Sequence, residues 1–286
     1  MTSFKKLLCA AGVALSMISS AQAGALLTNW QFNPNATGTT GALTVANNLD
    51  VTGTAFIDLT ATSASTFNFT ESSVFRVLSS DGLNSFSDSF GNTRVTATFT
   101  ATGHGSFNGG FVFDTGVITM YAYNSPTSQF GTANGNYGAD LGNVLATFSV
   151  LSGQGGGNVD GTGNPVGNGQ ITVFAKATTP GGLTPGVFFR ANGDDLANED
   201  VLSFAFTNAN AIDTPSAIQV SEIACGMSGF TGAGCGSGTY ANTPGDHFFV
   251  SNNGQFKLAE VPEPGSLALF GIALLGAGFV SRKRKA

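Results

Sequence analysis

The sequence predicts an all-β chain: a single β-sandwich or jelly-roll-like ectodomain over 24–260, an N-terminal signal peptide over 1–23, and a tail over 261–286 built around a short transmembrane helix. Three observations predict it. Gly, Thr, Ser, Asn, Val and Phe are abundant while Lys and Glu are scarce, a composition suited to pleated strands and tight turns. Stretches such as RVTATFTATGHGSF alternate Val95, Ala97, Phe99 and Ala101 with Thr96, Thr98, Thr100 and Thr102, a period of two with one apolar and one hydroxyl face. Uninterrupted apolar runs occur only near the two ends of the chain.

The first run is MTSFKKLLCAAGVALSMISSAQA. Lys5 and Lys6 precede an apolar stretch that ends in Ala21-Gln22-Ala23, the A-x-A shape of a secretory signal, so cleavage after Ala23 leaves Gly24 as the new terminus and export runs through the Sec machinery. Cys9 lies too early to be a lipoprotein site.

The ectodomain offers a series of short strand candidates: TAFIDLTA, TFNFTE, GVITMYAY, VLATFSVL, QITVFAKA, GVFFRAN, VLSFAFTN, AIQVSEIA, DHFFVS and GQFKLAE. FNGGFVF, with Asn108-Gly109-Gly110 between Phe107 and Phe111, reads as a hairpin turn. No helical periodicity of useful length is read inside the domain, and strands separated by Gly, Asn and Pro point to two packed sheets. The many Phe residues, and Trp30 with them, are expected to fill the core. SGQGGGNVDGTGNPVGNGQ (152–170) reads as one long flexible loop; its glycines do not fit a phosphate-binding pattern, and GGGNVD is a single loose match to a calcium-binding repeat that needs tandem copies.

NGDDLANED gathers Asp194, Asp195, Glu199 and Asp200. Its plain reading is an exposed acidic turn; the alternative is a weak calcium site, and the spacing does not fit an EF-hand. Cys225 and Cys235 are the only cysteines left after signal cleavage and are expected to form a disulfide in an oxidising compartment, with a metal site as the alternative. No metal or other cofactor is otherwise implied.

The tail, AEVPEPGSLALFGIALLGAGFVSRKRKA, has three parts. Pro262-Glu263-Pro264 should be extended and accessible because proline fixes φ and lacks a backbone donor. Leu267 to Val280 is apolar all round, short for a membrane span yet without the polar face of a core helix. Arg282, Lys283, Arg284 and Lys285 form a cluster that stays cytoplasmic under the positive-inside rule. These parts resemble the PEP-CTERM sorting signal of Gram-negative bacteria. That resemblance implies an inner-membrane-anchored precursor, processing by an exosortase, and delivery to the cell surface or extracellular matrix. The ectodomain, through NWQFNPN, VFAKATTPGG, SFAFTNAN and HFFVSNNGQFKLAEVPEPGSLALFG in that order, is similar to the flocculation-associated PEP-CTERM proteins of floc-forming, exopolysaccharide-producing bacteria. That resemblance implies extracellular polysaccharide as partner and brings no catalytic residues.

With the signal peptide and the C-terminal basic cluster set aside, Arg76, Arg94, Lys176, Arg190 and Lys257 face seventeen acids, a net charge of −12 through the Pro-Glu-Pro motif. Such a surface has no basic patch for nucleic acid. It repels anionic membranes and anionic polysaccharides unless a divalent cation bridges them. Two histidines, no G-x-S-x-G, no H-E-x-x-H and no C-x-x-C leave little for catalysis, although two placed carboxylates would suffice for a glycosidase. The expected function is therefore a non-enzymatic surface or matrix protein in floc or biofilm formation. A carbohydrate-binding module with a defined sugar site and a secreted glycoside hydrolase are the alternatives.

Overall fold

A computed structural model describes residues 24–166, 169–212 and 214–261. The signal peptide with Ala21 and Ala23, the motif Pro262-Glu263-Pro264, the apolar run and the basic cluster at 282–285 lie outside the described residues. The chain divides into a large unit, 26–258, and a terminal unit made of 1–25 and 259–286. Within the terminal unit the Glu260 amide donates to the Ala25 carbonyl at 3.0 Å, so the chain at Ala25 and the chain at Glu260 run side by side.

The large unit is a barrel. Its strands in chain order are β1 (Trp30–Phe32), β2 (Leu43–Val45), β3 (Leu49–Ala61), β4 (Thr66–Ser80), β5 (Asn84–Ser85), β6 (Thr93–Ser106), β7 (Gly110–Asn124), β8 (Asn143–Asn158), β9 (Gln170–Ala177), β10 (Phe188–Phe189), β11 (Val201–Ala211) and β12 (His247–Glu260). Eight of them follow one another around the wall in the order β3-β4-β6-β7-β8-β9-β11-β12, and β12 pairs antiparallel with β3 from His247↔Asp58 to Phe256↔Leu49, which closes the ring. This corrects the expected sandwich or jelly roll. Period-two patterning places one face of each strand against a core, but the patterning is the same whether that core lies between two sheets or inside one closed sheet.

Closure asks for long, coiled strands, and glycines inside them permit it. A Cβ at Gly103, in β6, would collide with the Val112 carbonyl and the Phe69 ring, where the β6–β7 register shifts. Gly156 has φ +122° and its Cα approaches the Phe111 carbonyl where side chains cannot fit. The stretch expected as a flexible loop at 152–170 is thereby corrected in its first part: 152–158 is strand, continuous with β8. Beyond it Val159 is buried and bridges to Pro165, closing that end of the barrel.

At the opposite end β1 lies between β10 and β2, and Trp30, Phe32 and Phe188 pack ring on ring with centroids 5.0–6.2 Å apart. Trp30 is fully buried, as expected of a core residue. A short helix α1 (Phe86–Phe90) adds Phe86 to the same cluster, its ring 5.7 Å from Phe32.

The stretch expected as the strand AIQVSEIA is helical instead: a turn α2 (Ala217–Gln219) runs into a π-helical segment, Val220–Met227. Ser216 and Gln219 form a reciprocal capping box, and Val220, Ile223 and Ala224 bury one stripe against Phe56, Val74 and Phe249 on the outside of the barrel. This second apolar cluster is satisfied by the i, i+3, i+4 spacing of a helix, which overrides the β-branched character of Val220 and Ile223. The fold thus has an inner core and an outer cover over part of β3, β4 and β12.

Candidate functional site

Strand β4 carries the polar groups that matter on both of its faces. Phe67, Phe69, Glu71, Ser73, Phe75 and Val77 alternate inward; Asn68, Thr70, Ser72, Val74 and Arg76 alternate outward. Inside, Glu71 lies between Ile57 of β3 and Ala101 of β6 and is almost wholly buried. The Ser73 hydroxyl donates to its carboxylate. Burial pushes the Glu71 carboxyl up to about 7, and the Ser73 hydrogen bond only partly opposes this. The barrel leaves a cavity of about 60 Å³ bordered by Glu71, Asn252 and apolar side chains such as Phe75, Ile118 and Phe256. The Asn252 Oδ1 is buried with no hydrogen-bond partner. A space of this size suits a few waters, and it is far below the range that accommodates ordinary organic ligands.

The outer wall presents two larger hollows, at opposite ends of the same strands. The first, about 320 Å³, is lined by Asp58, Thr60, Asn68, Thr70, Thr102 and Asp114. Thr70 and Thr102 are directly paired across β4 and β6. The Asp114 carboxylate and His104 Nδ1 are hydrogen-bonded at 2.8 Å, and Thr102 and Thr115 share a hydroxyl hydrogen bond at 2.8 Å. Partial burial raises the Asp58 carboxyl, Asp246 raises it further, and His247 works the other way. The hollow is thus a hydroxyl, amide and carboxyl surface open to solvent.

The second hollow, about 300 Å³, is a groove containing Arg76, Arg94, Leu78, Tyr123, Ser128 and Phe130. Here the local charge is positive. The Arg76 guanidinium lies 5.7 Å over the Phe130 ring, and Arg94 Nη1 donates to the Gly91 carbonyl at 3.0 Å.

The C-terminal end of the chain supplies a different kind of functional element. A family model described as the PEP-CTERM protein-sorting motif matches residues 260–285. The chain carries a PEP-CTERM sorting signal. It is therefore an exported protein with a membrane-anchored precursor in a Gram-negative bacterium, and an exosortase, a membrane protease, cleaves it on the way to the cell surface or extracellular space. The match begins at the last residue of β12, so the PEP-CTERM signal takes over where the barrel wall ends. No curated protein and no solved structure matches the chain. Among the described residues no helix is long and apolar enough to cross a membrane.

The remaining sites expected from the sequence fall as follows. Cys225 and Cys235 form a disulfide, with Cα atoms 5.5 Å apart, that ties the loop after the π-helical segment back onto it. The acidic turn is dispersed among other partners. Asp195 caps the turn Leu196–Asn198 by accepting from the Ala197 amide. Glu199 pairs with Arg190 at 2.6 Å, and Asp200 pairs with Lys176 at 2.7 Å. Asp194 accepts from the side chain of Asn192 at 2.7 Å. No group of three or more His, Cys, Asp or Glu poised around a metal position occurs among the described residues. Sequence reasoning missed Glu71, although an acid in the inward phase between Phe69 and Phe75 was a readable sign. It also missed both outer hollows, which exist only because distant strands are paired.

Proposed function

We propose that this exported barrel is a non-enzymatic component of a polysaccharide matrix and contributes to floc or biofilm formation. The observation that carries the reading is the open outer hollow of Asp58, Thr60, Asn68, Thr70, Thr102 and Asp114, on a protein sorted to the cell exterior. Side chains of this kind exchange hydrogen bonds with hydroxylated chains, each worth about 1 kcal/mol net, so stable association comes from many repeated contacts on a polymer. The similarity of NWQFNPN, VFAKATTPGG, SFAFTNAN and HFFVSNNGQFKLAEVPEPGSLALFG to flocculation-associated PEP-CTERM proteins supports the same reading. The acidic character of the hollow gives divalent cations a bridging role wherever the polymer is itself acidic.

The test is a deletion strain against one complemented with the protein, scored for settling and for total polysaccharide, with and without a chelator. Loss of settling at normal polysaccharide output, restored by complementation and weakened by the chelator, is the expected result. Settling unchanged by deletion would remove the reading.

One observation favours a second reading, a glycoside hydrolase. Asp58, with a raised carboxyl pKa, and Asp114 line the same hollow, and a pair of carboxylates is what glycosidic cleavage requires. Shortening of polymer by the purified protein, abolished in Asp58→Asn, would establish it.

A further inference from the structure

Arg76 and Arg94 line one groove with no acid among its described lining residues. Arg76 of β4 is paired in register with Thr96 of β6, and Arg94 lies two residues along β6 on the same outer face. Such diagonal neighbours are ~7–8 Å apart at the backbone, and both side chains line the same groove. Neither forms an ion pair among the described residues, whereas Lys176 and Arg190 each hold a carboxylate. The chain as a whole carries 17 acidic residues against 11 basic ones, so a shortage of acids does not explain the bare pair. Two adjacent like charges repel one another, and an anion drawn from outside relieves this.

We propose that Arg76 and Arg94 form a receptor for the carboxylate of an acidic polysaccharide. Among the described residues Arg76 is oriented by the Phe130 ring and Arg94 by the Gly91 carbonyl, contacts that engage few of the five N–H donors each guanidinium carries. A planar fork of donors matches a carboxylate in two-point fashion. The groove also offers the exposed side chain of Leu78, the Phe130 ring and the exposed Ser128, which suit the apolar ring face and hydroxyls of a sugar. A bare phosphate would engage the arginines and leave these walls empty. The choice of a polysaccharide as bearer of the carboxylate rests on the matrix reading above; the anion site itself does not. The site also changes the charge argument, because an acidic polymer can meet the protein here without a bridging cation.

The experiment uses mature protein recovered from the extracellular fraction, in the presence of EDTA, titrated with polygalacturonate, galacturonate monomer, inorganic phosphate and neutral dextran. Polygalacturonate should bind, more weakly as salt rises, and the double variant R76Q/R94Q should bind at least tenfold more weakly. K257Q removes the same charge outside the groove and should stay within twofold of wild type. Thermal melts of each variant establish folding; should the double variant not fold, R94Q alone is expected to lose at least threefold. The proposal is overturned if K257Q and R94Q weaken binding equally, if dextran binds as well as polygalacturonate, or if phosphate binds as tightly as the polymer. Unchanged settling on deletion, with arginine-dependent binding intact, would remove the matrix role and leave this site standing. Lost settling with no carboxylate binding would remove this site alone.

Discussion

The two faces of β4 treat charge in opposite ways. On the inner face Glu71 sits in an apolar wall with a single hydroxyl donor and holds its proton up to about pH 7. Five residues further along, on the outer face, Arg76 is exposed, and no carboxylate partner meets it among the described residues. A carboxylate turned inward is favoured in its protonated form, because burial among apolar side chains penalises the charge; a guanidinium turned outward stands where a ligand can reach it. The outer face is itself divided. Val74, between the two hollows, is fully buried beneath the helical cover, so along β4 the outer face is open only toward its two ends.

The largest expected effect belongs to the inner face. Glu71 has a native pKa of about 7 against an unfolded value of 4.5, so between these values the native state binds more protons and stability falls as pH rises. Above pH 7 the cost is fully developed, about 3 kcal/mol. Glu71→Gln should therefore raise stability at pH 8 by roughly that amount and leave it nearly unchanged at pH 4, as measured by denaturant unfolding at both pH values. Equal effects at the two would show that Glu71 is solvated after all.

The cover over Val74 comes next. Breaking the Cys225–Cys235 link by Cys225→Ser with Cys235→Ser should lower stability by about 2–3 kcal/mol on the chain-entropy account, measured by thermal unfolding. Protein purified from cells should correspondingly give negligible thiol labelling when denatured without reductant. Stoichiometric labelling would contradict the link. The smallest effect is expected on the open outer face: Arg76→Gln gives up an exposed cation–π contact of ~0.5–1 kcal/mol, seen as a slight fall in melting temperature. A large loss there would mean that the groove holds the fold together and is not kept for a ligand.

Much of the wall was legible in the sequence. Alternation in RVTATFTATGHGSF gives β6, and Asn108-Gly109-Gly110 gives the turn into β7, because both depend on residues near one another in the chain. Closure was not legible: it is a pairing of β3 with β12, nearly two hundred positions apart, and no local pattern encodes it. The glycines at 153–157 suggest a loop, whereas the positive φ values and missing side chains of Gly155 and Gly156 let β8 pass close to β9 and β7. The helical cover could have been read. Ser216 and Gln219 have the spacing of a capping box, and Val220, Ile223, Ala224 and Met227 repeat with a helical period, two signs that a reading of AIQVSEIA as a short strand leaves unused. The sorting signal was legible because its parts are contiguous. The Arg76–Arg94 pair was not, since it exists only through the register of β4 on β6.

The measurement that bears most directly on a non-enzymatic polysaccharide-binding barrel is incubation of the mature protein with extracellular polysaccharide extracted from the producing cells. Co-sedimentation and polymer length, the latter by size exclusion, are read from the same sample. Protein that sediments with the polymer while the length distribution stays unchanged is the expected result. Protein left in the supernatant, or polymer that becomes shorter with time, would contradict it.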